Sequence, residues 1–185
     1  MPNMMMMRPG DGTETAGAYR VAVLNRKRPT TLALSRQNMP NLAGTSMEGV
    51  AHGLYTIHET QKGATPEVIL IGTGTELSLA VEAAQELEKE GHKVRVVSAP
   101  CWELFFEQSE SYQDSVLPRS VKARVSVEAG SSFGWSRIIG DAGVHVGIDG
   151  FGASGPGNKV YEWAGITKEN VVKAAKQAVA NAKKH

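Results

Sequence analysis

Short apolar runs separated by helix-length amphipathic stretches recur along the chain, and that alternation leaves few folds open. Glu67 to Ile71, Lys93 to Ser98, Ala123 to Val127 and His145 to Ile148 each read as a strand. Runs this apolar suit strands buried on both faces, which is the condition of a parallel sheet. Leu77, Ala80, Val81, Ala84 and Leu87 share one face of a helix that starts at a Thr75 cap and runs to Glu90, with Gly91 as its stop. A last helix starts at Thr167 and runs through Ala182. Strands alternating with helices predict an α/β fold, a mainly parallel twisted sheet covered by helices on both faces. His52 to Thr60, with Tyr55 and Ile57 alternating, reads as a short edge strand. Trp102 to Phe106 is a short amphipathic stretch, followed by a polar run to Leu117. Ser136 to Ile139 reads as helical, and Gly150 to Gly157, with four glycines, as a loop.

The first 35 residues form a different pattern. Met4 to Met7 is an apolar run that predicts a strand buried on both faces. Arg8-Pro9-Gly10-Asp11-Gly12 is turn chemistry, and Asp11 or Thr13 offers an N-cap. Ala16, Tyr19, Ala22 and Val23 then stand at helical spacing over Thr13 to Asn25, and Thr31 to Ser35 reads as a second strand. A strand–helix–strand unit alone cannot cover its sheet, so this segment is expected to be the remnant of another α/β domain. Residues 37–50 have the composition of a linker.

Composition narrows the function classes. The chain has 185 residues, enough for a domain of about 150 with something left over. Lys plus Arg number 20 and Asp plus Glu 19, a net charge of +1 that gives no electrostatic reason to seek nucleic acid or a charged membrane. The single cysteine, Cys101, excludes an internal disulfide and a four-cysteine zinc site. No apolar run approaches the length of a membrane span, and the N-terminus lacks the basic and apolar regions of a signal peptide. The chain reads as soluble and intracellular.

Few residues stand at spacings that carry chemistry. Gly72-Thr73-Gly74-Thr75-Glu76 lies between a strand and a helix, where Gly72, Gly74 and Thr75 could hold an anion on backbone N–H groups. Leu77 occupies the place of the third glycine of a dinucleotide fingerprint, and Glu76 itself complements the helix dipole, so a structural turn is the other reading. Ser35-Arg36-Gln37-Asn38 lies at the carboxyl end of a strand, where ligands of open parallel sheets gather, and an arginine there can clamp a phosphate. The five histidines, 52, 58, 92, 145 and 185, show no metal-ligand spacing. Cys101 reads as a buried, inert thiol. Glu128 could enter a cleft or accept backbone hydrogen bonds from its turn. Trp102, Trp135 and Trp163 read as core and interface anchors.

Arg8-Pro9-Gly10-Asp11-Gly12-Thr13-Glu14, Leu34-Ser35-Arg36-Gln37-Asn38, Gly72-Thr73-Gly74-Thr75-Glu76, Ser115-Val116-Leu117-Pro118 and Phe151-Gly152-Ala153-Ser154 occur in an order that resembles the C-terminal part of transketolase. Gly10 and Thr13 stand where many relatives have Ala and Asn. Arg26 to Pro29 and Val125 to Ser131 look most like plant and algal plastid forms. The resemblance implies that residues 1–40 end the pyrimidine-binding domain and its linker, and that 41–185 form the C-terminal domain. It implies transfer of a two-carbon ketol unit from a ketose phosphate to an aldose phosphate, as in the pentose phosphate pathway and Calvin cycle. It implies thiamine diphosphate with Mg²⁺ or Ca²⁺ in the intact homodimer, with Arg36 on the substrate phosphate, in plastid or cytoplasm. The family's metal-binding motif, its cofactor-activating glutamate and its substrate histidines belong to upstream domains. The resemblance therefore implies no catalytic or metal-binding residue here, no cofactor bound to this chain alone, and no activity without its partner domains. A stand-alone dimerisation or anion-binding module is the alternative.

Overall fold

A computed structural model describes residues 2–184; Met1 and His185, each part of a reading above, lie outside the described residues. Two sheets organise the chain. In the first, β1 (Met5–Met7) pairs in parallel with β2 (Thr30–Leu32), Met5 opposite Thr30 and Met7 opposite Leu32. The crossover is α1 (Gly12–Leu24).

Asp11 caps α1 and does more. Its Oδ1 accepts the Glu14 N–H at 2.8 Å, while Oδ2 accepts the Leu42 N–H at 2.9 Å and the Thr45 hydroxyl at 2.7 Å. One carboxylate thus starts the helix and ties down the segment after β2. Asp11→Ala is expected to cost about 1–2 kcal/mol, read from the urea midpoint, with Asp11→Asn keeping most of the cap. An alanine variant of unchanged midpoint would refute that double role.

The strand–helix–strand pattern is present, but its faces differ from the expectation. Met5 and Met7 are buried while Met6 is half exposed, so β1 is not buried on both faces. Tyr19 and Val23 are 54% and 66% exposed; α1 buries Glu14, Gly17 and Ala18 instead. The reason is close packing against α2 (Met47–His52): a Cβ on Gly17 would lie 3.0 Å from Met47 Cα and from the Val50 side chain. A face made of glycine, alanine and one carboxylate carries no hydrophobic signal. The linker reading for residues 37–50 likewise gives way to a helix from Met47, capped by Ser46, whose Oγ accepts the Gly49 N–H at 2.9 Å.

The second sheet has five strands, β3 (Tyr55–Glu59), β4 (Val68–Gly72), β5 (Val94–Ser98), β6 (Arg124–Val127) and β7 (Val144–Val146), in the order β3-β5-β4-β6-β7. β3 is an antiparallel edge strand and the other pairings are parallel. Side chains alternate by the pleat. Val68 and Leu70 face α3 (Leu77–Lys89) and α8 (Lys168–Ala182). Ile69 and Ile71 face α4 (Trp102–Phe106), α5 (Glu110–Val116) and α6 (Ser136–Ile139), around the fully buried Trp135. Helices therefore cover both faces. A third cluster, including Met5, Met7, Ala18, Val50 and Tyr55, joins the first unit to the sheet.

Other expectations need correction. The polar run before Leu117 contains α5, with Ser109 Oγ accepting the Tyr112 N–H. Gly157 does not close a loop but starts α7 (Gly157–Ala164). Thr75 does not cap α3: it sits in a 3₁₀ turn, Gly74–Glu76, and its hydroxyl serves Glu76 and Tyr161. Gly91 does end the helix, at φ +90°, where the left-handed backbone favours glycine.

Candidate functional site

The carboxyl ends of β1, β4, β5 and β6 converge, and Arg8 stands among them. Its main chain is pinned on two sides: its N–H donates to the Pro100 carbonyl at 2.8 Å and its carbonyl accepts the Gly74 N–H at 3.0 Å. Its guanidinium spans two carboxylates. Nη2 donates to Glu76 Oε2 at 3.2 Å and Nη1 donates to Glu128 Oε1. Glu76 is wholly buried; its Oε1 accepts the hydroxyls of Tyr161 and Thr75, and its Oε2 also accepts the Ala129 N–H at 3.0 Å. Burial, with Glu76 beside it, pushes the Tyr161 hydroxyl up to about 12, so Tyr161 remains a donor at neutral pH. Glu128 Oε2 accepts the Trp135 indole N–H at 2.7 Å.

A second buried carboxylate lies behind the first. Glu14 accepts the Gly10 N–H at 2.6 Å, the Tyr55 hydroxyl at 2.6 Å and the Ser98 hydroxyl at 2.5 Å. It joins the start of α1 to β3 and β5. Burial raises its pKa, against the three hydrogen bonds that favour the anion.

The residues singled out from sequence occupy different parts of this edge. Arg36 follows β2 on the surface, and among the described residues it makes no hydrogen bond or ion pair. Ser35 donates to the Gln37 carbonyl at 3.1 Å, and the Gln37 amide packs at the start of α7, 3.2 Å from where a Cβ on Gly157 would be. A cavity of about 210 Å³ opens beside Ser35, floored by Gly74, Thr75 and Glu76 and walled by Tyr161. Gly72 ends β4, where a Cβ would stand 2.6 Å from Leu77 Cα; the close approach of turn and helix needs glycine there. Gly74, at φ +59°, spends its N–H on Arg8, and the carboxylate seated at this turn is the chain's own Glu76.

Glu128 takes the cleft alternative: the turn's Gly130 N–H goes to the Glu128 backbone carbonyl at 2.8 Å, leaving the side chain for Arg8 and Trp135. Cys101 is buried and its thiol is pushed up to about 12 by burial, as an inert thiol should be. Trp135 is a core anchor, whereas Trp163 is largely exposed. Ser126 and His145 pair at 2.8 Å across adjacent strands, but Ser126 is fully buried and offers no accessible nucleophile. Among the described residues no three His, Cys, Asp or Glu groups come together as a metal set, and no helix is long and apolar enough to cross a membrane.

Sequence reasoning did not assign Arg8, Glu14 or Tyr161 to this edge. The one available signal was the density of chemistry in Arg8 to Glu14, which reads locally as a turn and a cap.

The family described as "Transketolase-like TK C-terminal domain" matches residues 53–167. A chloroplastic transketolase from Solanum tuberosum is 63% identical over 177 residues, covering 96% of this chain and 24% of that protein. Transketolase from Leishmania mexicana superposes with a TM-score of 0.91 at 44% identity, over 97% of this chain and 26% of that one. A Pichia stipitis transketolase solved with sedoheptulose-7-phosphate superposes at 0.89 with 40% identity, over 99% of this chain and 26% of that one. The chain thus spans about a quarter of the length of the relatives it matches. With the strand order, the covering helices and the preceding β1–α1–β2 unit all shared over nearly its whole length, the chain belongs to the transketolase family, within the part that carries that family's C-terminal domain.

Proposed function

We propose that this chain works as the C-terminal portion of a transketolase, in which residues 1–40 complete the pyrimidine-binding domain and 41–185 form the C-terminal domain. In that assembly Arg36 holds the phosphate of a sugar substrate. The observation that carries this reading is the exposed Arg36 side chain, without a protein partner among the described residues, which follows Ser35, a residue that lines the cavity at the carboxyl edge of the sheets. A guanidinium so placed can take a phosphate bidentately.

Thiamine diphosphate and Mg²⁺ or Ca²⁺ belong to the intact assembly. The residues described here do not fit that group, since no metal-ligating set converges among them, and no step of its chemistry is assigned to them. The chain alone is expected to transfer no ketol unit. Phe133 and Phe151, 93% and 98% exposed on the loops after β6 and β7, favour contact with the remaining domains or a second subunit. The chloroplastic relatives support a plastid location.

Sedoheptulose 7-phosphate and sedoheptulose are the discriminating probes. Titration of the phosphorylated sugar should shift the Arg36 Nε–H signal in NMR spectra, and the free sugar should not. Arg36→Ala should weaken the phosphorylated sugar roughly tenfold, about 1.4 kcal/mol, with the contact fading as salt rises. Equal responses to both sugars, or an alanine variant of unchanged affinity, would overturn the assignment.

A further inference from the structure

The five-stranded sheet has a topological switch point. From β4 the chain first adds β5 on one side, then β6 and β7 on the other. In open α/β sheets the crevice outside the carboxyl ends of the strands that flank such a point is where ligands settle. Here it lies outside Gly72 of β4 and Val127 of β6, and it already holds a group: the guanidinium of Arg8, from the other sheet.

We propose that this crevice is a guanidinium-binding site whose resident ligand is Arg8, so that the β1–α1–β2 unit docks by placing a side chain where a free ligand of the sheet would bind. The receptor is built on both sides of the guanidinium. Glu76 and Glu128 come from the turns after β4 and β6, and each is held by donors other than Arg8. Tyr161, Thr75 and the Ala129 N–H fix Glu76, and the Trp135 indole fixes Glu128. Two carboxylates oriented in this way match the planar fork of a guanidinium, which bridges both; an ammonium is a single point of charge. Removing the guanidinium leaves two carboxylates side by side, one of them wholly buried, with no cation between them. Cavities of about 200 and 210 Å³ flank Arg8 on either side, so a small molecule can reach the crevice once the side chain is removed. The same carboxylate, Glu76, holds β1 through Arg8 and α7 through Tyr161, and the loop of Ser35, Arg36 and Gln37, which follows β2, reaches the start of α7 through Gln37.

The test is chemical rescue in the full 185-residue chain carrying Arg8→Ala, using ethylguanidinium chloride and, at equal ionic strength, ethylammonium chloride. The readout is the indole N–H signal of Trp135, which reports on Glu128. Ethylguanidinium should shift that signal saturably and roughly tenfold more tightly than ethylammonium. The unsubstituted chain, its crevice filled, should show no saturable shift, and the double variant Arg8→Ala with Glu128→Gln should lose the response. No saturable shift in Arg8→Ala, an ethylammonium response of equal strength, or an equal response from the unsubstituted chain would each overturn the proposal. Should Arg8→Ala be unfolded, ethylguanidinium at tens of millimolar must restore the native Trp135 signal, and failure to do so overturns it equally. None of these outcomes depends on whether Arg36 binds phosphate.

Discussion

Glu14→Ala is expected to destabilise the chain by about 3–5 kcal/mol, measured by urea denaturation at neutral pH. The carboxylate is the common acceptor for the Gly10 N–H, the Tyr55 hydroxyl and the Ser98 hydroxyl, all in a buried pocket. Truncation removes all three bonds at once, and each orphaned buried donor costs about 1–3 kcal/mol. Tyr55 keeps one partner, accepting the Ser46 N–H at 3.1 Å, so it is not wholly stranded. The loss falls on the seam between the two sheets, because Gly10 lies just before the Asp11 cap of α1 while Tyr55 and Ser98 stand opposite each other on β3 and β5. An alanine variant within about 1 kcal/mol of the unsubstituted chain would mean that this network contributes little net stability.

The same carboxylate sets a pH dependence with a definite sign. Burial raises its pKa in the folded chain above the ordinary value of 4.5. The folded state therefore keeps the proton to higher pH than the unfolded state does. Between the two pKa values the native state binds more protons, and stability falls as pH rises. Ionising Glu14 in place is a cost absent in acid and fully present above its folded pKa. In Glu14→Gln the side chain cannot titrate, and its amide faces the Gly10 N–H donor to donor, a mismatch of about 1–3 kcal/mol. The unsubstituted chain should hold its largest advantage over Glu14→Gln in acid, and that advantage should shrink as pH rises past 4.5. An advantage that grows with pH would reverse the assignment and show that the three donors outweigh burial.

The sequence made the sheet legible and hid much of the site, for one physical reason. β4, β5 and β6 are largely buried on both faces and rich in Val, Ile and Leu, so their runs stand out despite Arg95 in β5 and Arg124 in β6, and their boundaries in the structure lie within two residues of those read from the runs. Helices covering both faces follow from that burial. The docking of the first unit leaves no such trace. Its helix packs through Gly17 and Ala18, where closeness rather than hydrophobicity does the joining, and the apparent stripe of Tyr19 and Val23 points to solvent. Arg8, Glu14, Glu76, Glu128 and Tyr161 are separated by up to more than a hundred residues and meet only because two sheets present their carboxyl ends to one another. A charged residue reads as surface until its partners are known; Glu76 reads as a helix-dipole complement and proves to be the acceptor for Arg8, Thr75, the Ala129 N–H and Tyr161. Arg36 stands out in the sequence because its motif is short and contiguous, and the fold shows it exposed on the loop after β2, next to Ser35, which lines a cavity.

Gly53→Ala is expected to cost about 4 kcal/mol, the sum of a left-handed backbone strain of about 1–3 kcal/mol and overpacking of similar size. Gly53 ends α2 at φ +89°, and a Cβ there would stand 2.3 Å from both the Cys101 carbonyl oxygen and the Phe105 backbone nitrogen. Those are backbone atoms, so no rotamer change relieves the clash. Gly63 supplies the comparison: it also has a positive φ, +74°, but none of the described residues lies within 4 Å of its would-be Cβ, so Gly63→Ala should cost about 1 kcal/mol through the backbone alone. The excess at Gly53 is the energy of moving α4 away from α2. That movement reaches the guanidinium crevice, because Gly53 also accepts the Cys101 N–H at 3.1 Å and the next residue, Trp102, lines the cavity beside Arg8 and packs edge-on against Trp135 at 4.6 Å. Gly53→Ala should therefore shift the indole signals of Trp102 and Trp135, which Gly63→Ala should leave in place. Equal costs for the two variants, or indole signals unmoved by both, would show that the α2–α4 seam does not set the wall of the crevice.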